Sequence, residues 1–503
     1  MARSERKFGV ALTYVNIFLN TFVMLVYTPF ILNYLGQSEY GLYALAMSIL
    51  TYLALLDFGF GNAIVVLTSK YIIKNERGKQ EVLYGTVFTS YIFISCLSVI
   101  GMFVFYYLSD SIFASSMSIS EIETFKVLIL ILSFNIALSI PANMFRSILN
   151  AYEKFIFING LSIIRALSIP LLTIIAIFLE YRTIAMIMSV TIVNVLFLFI
   201  QYIYFRKHVN ISIVLGVFDS KVFKLAFSYS IFIFVATIVD QVNWNFGQLV
   251  IGAFRGTNEV AVYSIALLFN TTFIMLSTAV SNVLLPKVSK MISGGATNYD
   301  LTLEMIKIGR LQSYVVLLVL FGFALFGQSF IAFWAGKEYE DAYYLTLIIM
   351  VPLAIPLMQN LGLSILKAKN KFVFRAISSL IMSFFTILMS LYLTDEFGYW
   401  GVAISISITF FLLNGIIMNI YYQYIGLNVF KFWKQIFVIF IVVVSIFACS
   451  QFYINVIELD SVIKLILNIP IFIFVVFTAL YLSVMNDYEK DIIKGIARKV
   501  RFN

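Results

Sequence analysis

The chain has 503 residues, 62% of them hydrophobic, 17% aromatic and only 12% charged, with a formal net charge of +9 and a mean hydropathy of +0.98. Soluble domains carry about 25% charged residues, so this composition excludes a soluble globular protein and points to an all-α polytopic membrane protein. One histidine and two cysteines leave no side-chain set for imidazole catalysis, a metal site or a disulfide framework.

Arg3, Arg6 and Lys7 precede the first apolar stretch, residues 9–35. It is longer than a signal-peptide core and lacks a small-residue cleavage site, so it reads as a retained span. Stretches of the roughly 20 residues a spanning helix needs recur at 41–69, 83–108, 124–148, 155–179, 183–205, 223–252, 260–286, 310–334, 343–366, 372–394, 398–424, 432–453 and 462–485. The pattern predicts fourteen transmembrane helices. Cys96 and Cys449 lie inside apolar stretches, and His208 falls in the basic link RKHVN as a solvated residue.

Lys and Arg accumulate on the cytoplasmic side of membrane proteins, so the links test the count. With the N-terminus inside, the inner links and both termini hold 28 of the 34 basic residues. The outer side holds Lys126, Arg182, Arg255, Lys337 and Lys464, and Arg165 stays within a span. One wrong helix would invert every later link. The net charge therefore reports topology, with both termini cytoplasmic. Spread over eight segments, it makes no nucleic-acid footprint.

The chain also repeats itself. SILNAYEKFIF (147–157) returns as SILKAKNKFVF (364–374) at an offset of 217, with seven of eleven residues alike. YLGQSEYGLYALA (34–46) lies over FRGTNEVAVYSIA (254–266) at an offset of 220, pairing Gly36, Glu39, Tyr43 and Ala46 with Gly256, Glu259, Tyr263 and Ala266. Asn62, Ser69 and Lys70 then fall on Asn282, Ser289 and Lys290. The expected architecture is two parallel six-helix bundles related by a pseudo-two-fold axis along the membrane normal, plus two C-terminal helices. The boundaries are an N-terminal bundle at 1–206, a cytoplasmic linker at 207–222, a C-terminal bundle at 223–424, and the extra helices with a basic tail at 425–503.

Ionisable side chains in mid-membrane are costly and mark wet or functional surfaces. Asp57 in LALLDFGFGNAIV, Arg165 in LSIIRALSIP and Asp240 in TIVDQVNWNFGQ are such residues. Asp57 and Asp240 are candidates for coupling or gating; a structural ion pair of Asp57 with Arg165 is the alternative. Gly59 and Gly61 can loosen the helix after Asp57. Gln241, Asn245 and Gln248 share one helix face, either lining a cavity or bonding between helices. Toward the inner side the polar residues become basic: Lys70, Arg146, Lys154, Lys290 and Lys371. Each suits snorkelling to headgroups or a cationic vestibule for an anionic substrate. The candidate substrate residues are Arg146, Arg165, Lys70, Lys290, Asn62, Asn282, Gln241, Asn245 and Gln248. No phosphate-binding loop or nucleotide fingerprint occurs, so transport would be secondary or partner-driven.

Fourteen helices, the LGxxxYGLY segment Leu35–Tyr43 and GYWGVAISIS at Gly398–Ser407 resemble the oligosaccharide (O-antigen-type) flippases of the multidrug/oligosaccharidyl-lipid/polysaccharide exporter superfamily. The resemblance covers the whole chain. It implies a non-enzymatic carrier of an undecaprenyl-diphosphate-linked glycan across a bacterial cell membrane. It also implies a cationic central cavity, rocking halves, no cofactor, and coupling to a proton or sodium gradient. The implied partners are that glycan, membrane lipids, and the polymerase and glycosyltransferases of the same pathway, with no nucleic acid or bound nucleotide. A lipid II flippase or multidrug exporter of the same superfamily is the nearest alternative. A membrane glycan polymerase fits less well, because the longest outer link, near Ser109–Glu123, has only about fifteen residues.

Overall fold

Hydrocarbon offers no partner for a backbone amide, so a spanning chain must satisfy its own peptide groups, as a helix does. The computed structural model describes residues 2–178, 182–209, 211, 213, 216–278, 284–457, 459 and 461–501, and among these it has helices and no strand. In chain order the helices are α1 (Ala2–Leu35), α2 (Gln37–Leu53), α3 (Phe60–Ile73), α4 (Arg77–Phe113), α5 (Ile119–Ala151), α6 (Phe155–Ile177), α7 (Arg182–His208), α8 (Ser220–Arg255), α9 (Thr257–Thr278) and α10 (Leu284–Ser293). They continue with α11 (Asn298–Trp334), α12 (Asp341–Met358), α13 (Asn360–Ala368), α14 (Phe372–Phe397), α15 (Tyr399–Phe410), α16 (Met418–Tyr424), α17 (Val429–Ile457), α18 (Val462–Ser483) and α19 (Asp487–Arg501).

Twelve of the described helical segments are long and apolar enough to cross a membrane, and α8, bent by 45°, makes thirteen. The fourteenth expected stretch is α2 with α3, which is broken in the middle. His208 is the last residue of α7, its ring stacked on Tyr204 at 4.0 Å between centroids.

The chain divides into two compact units: Met1–Ser264 with Ser390–Tyr399, and Ile265–Met389 with Trp400–Asn503. In the first, α5 packs on α3, α4 and α7, α1 on α6, and α8 on α2, α3 and α4. Fully buried Phe125, Leu128, Ile129 and Leu132 of α5 fill its interior. In the second, α11 is the hub, packed by α12, α17 and α18.

The repeated undecapeptide encodes one turn twice. After α5, the amides of Tyr152 and Lys154 donate to Ile148 O and Leu149 O at 3.0 Å each; after α13, those of Lys369 and Lys371 donate to Ile365 O and Leu366 O at 2.9 and 2.8 Å. Both turns pass through the left-handed region, at Glu153 (φ 59°) and Asn370 (φ 55°). This closes the last carbonyls of the preceding helix. The repeat at 34–46 and 254–266 likewise encodes one local contact twice. Glu39 accepts from the Thr183 amide (3.4 Å) and hydroxyl at the start of α7. Its counterpart Glu259 accepts from the Tyr399 amide (2.9 Å) at the start of α15. A carboxylate at a helix N-terminus meets the positive end of the helix dipole, and the duplication preserves that contact.

Candidate functional site

The break in the second span is built from local chemistry. A 3-10 turn, Ala54–Asp57, follows α2; Phe58 (φ 48°) and Gly59 (φ 71°) then step through left-handed conformations, and α3 starts at Phe60. Asp57 holds the break. Its Oδ1 accepts from the Tyr91 hydroxyl at 2.5 Å, and its carboxylate also accepts from the Gly61 amide. Ser230 donates to Gly59 O at 3.0 Å, and Phe58 stacks on Phe234 at 4.7 Å. The approach at position 61 is close: a Cβ there would sit 2.8 Å from Ser147 Oγ, so the serine hydroxyl would have to turn away to admit one. Asp57 is thus engaged by Tyr91 of α4 and by the start of α3, where the sequence had offered Arg165 as a partner.

Arg146 of α5 is exposed and Arg165 of α6 is half-buried. The two guanidinium charges are near enough to repel each other. Among the described residues neither has a hydrogen-bond or ion-pair partner. Asn62 and Lys70 are exposed on α3, and Lys290 is exposed on α10. Asn282 lies outside the described residues. On α8, Asp240 is exposed, and Asn245 donates to Gln241 Oε1 at 2.7 Å. Gln248 is buried and donates to Ser264 of α9 at 2.8 Å, so this amide is spent on a helix–helix contact. The structure therefore brings Arg146 to Arg165 and Gln241 to Asn245, and it turns Gln248 inward.

The second unit holds polar groups that composition and depth do not single out. A π-helical turn, Phe411–Ile417, interrupts the twelfth span; such turns recur at functional sites. Its Asn414 accepts from Arg375 at 2.6 Å. Asn419 accepts from Gln359 (2.7 Å) and from Trp433 Nε1 (2.8 Å), and it donates to Asn414 O and Gly415 O at 2.9 Å each. Gln359 sits at the break between α12 and α13, and Asn-Gly at 414–415 is the one sequence mark of the π turn. Beside this cluster an apolar cavity of about 920 Å³ opens among α11, α12, the π turn and α17. Leu317, Ile355, Phe411, Phe437 and Phe440 line it, and Lys434 is the charged residue in its lining. Arg310, counted in the sequence as a loop charge, is buried. Its Nε and Nη2 donate to the two carboxylate oxygens of buried Glu489 at 2.7 and 2.9 Å.

A family model described as "Polysaccharide biosynthesis protein" matches residues 8–292. Over 383 residues the chain is 21% identical to a Shigella flexneri protein named "Putative O-antigen transporter", covering 75% of this chain and 88% of that one. The fold is similar to that of the lipid II flippase MurJ in an inward closed conformation (TM-score 0.72, 16% identity, 95% of this chain and 100% of that chain). It is also similar to an inward-facing multidrug resistance MATE family transporter of the MOP superfamily (TM-score 0.59, 15% identity, 82% and 95%). At these identities the solved structures speak for the fold: helical bundles of the flippase and multidrug-transporter type. With more than half of its length matched, the chain belongs to the polysaccharide biosynthesis protein family.

Proposed function

We propose that the protein is a flippase that moves an undecaprenyl-diphosphate-linked oligosaccharide from the inner to the outer leaflet of a bacterial cell membrane, for surface polysaccharide synthesis. The observation that carries this reading is the pair of unpartnered guanidinium groups at Arg146 and Arg165. Two like charges at a span, with no ion-pair partner among the described residues, are costly; a diphosphate between them would relieve the repulsion and could accept bidentate hydrogen bonds from both. Lys70 and Lys290 are each further candidates for contact with an anionic headgroup. Alternating access between halves is the proposed mechanism, with Asp57 and Asp240 as candidates for coupling to a proton or sodium gradient. No bond is made or broken, so the chain acts as a carrier. In this reading both termini would lie in the cytoplasm, where glycosyltransferases would supply the substrate, and the polymerase would receive it outside.

The likeness to the MurJ fold favours a second reading, lipid II transport, because that headgroup is also an anionic diphosphate sugar. Deletion of the gene separates the two: accumulation of lipid-linked repeat units with loss of surface polysaccharide supports the first, and accumulation of lipid II with lysis supports the second. In the deletion strain, Arg165→Ala should reach the membrane and fail to restore export, and Arg165→Lys should restore part of it. Normal surface glycan with Arg165→Ala would remove the residue from substrate handling.

A further inference from the structure

We propose that α19 is an in-plane membrane helix that rests on the anionic lipid headgroups of the cytoplasmic leaflet. The inference rests on the reading that places the C-terminus inside.

Three features carry it. The first is the tether. Only Val484, Met485 and Asn486 separate the last span, ending at Ser483, from Asp487. Three residues reach at most about 10 Å, so α19 starts at headgroup level.

The second is the bolt at its first turn. Asn486 and Glu489 cap each other, with the Glu489 amide donating to Asn486 Oδ1 and the Asn486 amide donating to Glu489 Oε2 at 3.0 Å each. The same carboxylate is gripped by Arg310 and by the Tyr314 hydroxyl (2.8 Å) of α11. Arg310 also donates to Val484 O at 2.9 Å and to Gln435 of α17 at 3.3 Å. Lys307 lies 3.6 Å over the Tyr488 ring. The start of α19 is therefore held against α11, at Lys307, Arg310 and Tyr314, and through Arg310 to the second turn of α17.

The third is its pattern. Beyond this bolt, no other helix packs extensively along α19 among the described residues. Ile492 and Ile493 begin an apolar stripe that the sequence continues with Ile496 and Val500 at helical spacing. After Asp491 the sequence contains Lys494, Arg498, Lys499 and Arg501 and no acid. An apolar stripe flanked by cations, beginning at the membrane surface, is the signature of an interfacial helix, and it is complementary to anionic lipid. A soluble acidic partner would satisfy the cations, but it would have no reason to need the stripe at lipid depth.

The test uses the full chain with exposed Cys96 and Cys449 changed to Ser. A fluorophore is placed at Ile493→Cys or Lys494→Cys, and the protein is reconstituted in vesicles of phosphatidylcholine alone or with about a third phosphatidylglycerol. Spin-labelled lipid should quench the probe at 493 at least about twofold more than the probe at 494. That quenching should fall in pure phosphatidylcholine and in the variant Lys494→Gln/Arg498→Gln/Lys499→Gln/Arg501→Gln. Equal quenching of both probes by aqueous iodide overturns the proposal. Protection at 493 that ignores lipid charge and disappears on dilution assigns the stripe to a second copy and also overturns it. An impermeant thiol reagent that labels Lys494→Cys from the outer face of intact cells overturns the sidedness. Quenching reads placement whether or not a glycan is flipped, so a failed export assay leaves this result standing.

Discussion

Arg310→Met offers the most direct measure of what the buried ion pair contributes. Arg310 is 6% exposed and Glu489 2%. Four donors converge on the carboxylate: Arg310 Nε and Nη2, the Tyr314 hydroxyl and the Asn486 amide. Removing the guanidinium leaves a buried anion with two neutral donors, and breaking such a pair costs about 3–5 kcal/mol. Changing both partners, Arg310→Met with Glu489→Leu, removes both desolvation penalties. What remains is the loss of partners for Tyr314, Val484, Gln435 and the Asn486 amide, at about 1 kcal/mol per net hydrogen bond. The double variant should therefore lie closer to wild type than Arg310→Met alone. Heat-induced unfolding of the purified protein in detergent, followed by fluorescence and by the monodisperse fraction, gives the ranking. The pH dependence adds a second check. Burial raises the Glu489 carboxyl, but hydrogen bonds from Arg310, the Asn486 amide and Tyr314 outweigh it and hold the group below the ordinary carboxylate range. A depressed folded pKa contributes stability that is fully present above the unfolded value of about 4.3 and is lost as pH falls through the folded value. The gap between wild type and Glu489→Gln should therefore be constant near neutrality and shrink below about pH 4. If Arg310→Met melts with wild type, or if the double variant shows the plain sum of the two single losses, the ion-pair argument is wrong.

The repeated turn at Glu153 and Asn370 predicts an asymmetry between its copies. An L-residue in the left-handed region costs about 1–2 kcal/mol, and Asn pays less than Glu. Glu153→Gly should raise the melting midpoint slightly, whereas Asn370→Gly should leave it near wild type; equal effects would mean that side-chain contacts govern these positions. Asp57→Asn can still accept from Tyr91 and the Gly61 amide, so the protein should accumulate in the membrane at wild-type level on an immunoblot. Its sensitivity to uncouplers should change if Asp57 takes part in coupling, and unchanged sensitivity would leave it as the cap of α3.

The fourteen stretches, the alternation of charge and the duplication were legible because each is a one-dimensional constraint. Hydrocarbon thickness sets the length of an apolar run. The left-handed turn at Glu153 and Asn370 is made by amides within six residues of each other, so its sequence recurs where the turn recurs. Glu39 and Glu259 repeat for the same reason: each, at the equivalent place in its copy of the repeated sequence, serves the start of a helix about 140 residues on. The break after Asp57 was half legible, since Gly59 and Gly61 weaken a helix, but the left-handed step at Phe58 needs Tyr91, Ser230 and Phe234 from other helices to hold it. Other assignments depended on which face each helix turns toward which neighbour. Gln248 shares a stripe with Gln241 and Asn245, yet it faces Ser264 and is buried. Arg310 reads as one more inner-loop cation until Glu489, 179 residues away, is seen against it. Length and polarity act along the chain and can be read there. Helix rotation and the choice of partner are settled by packing among many helices at once, and no local run of residues encodes them.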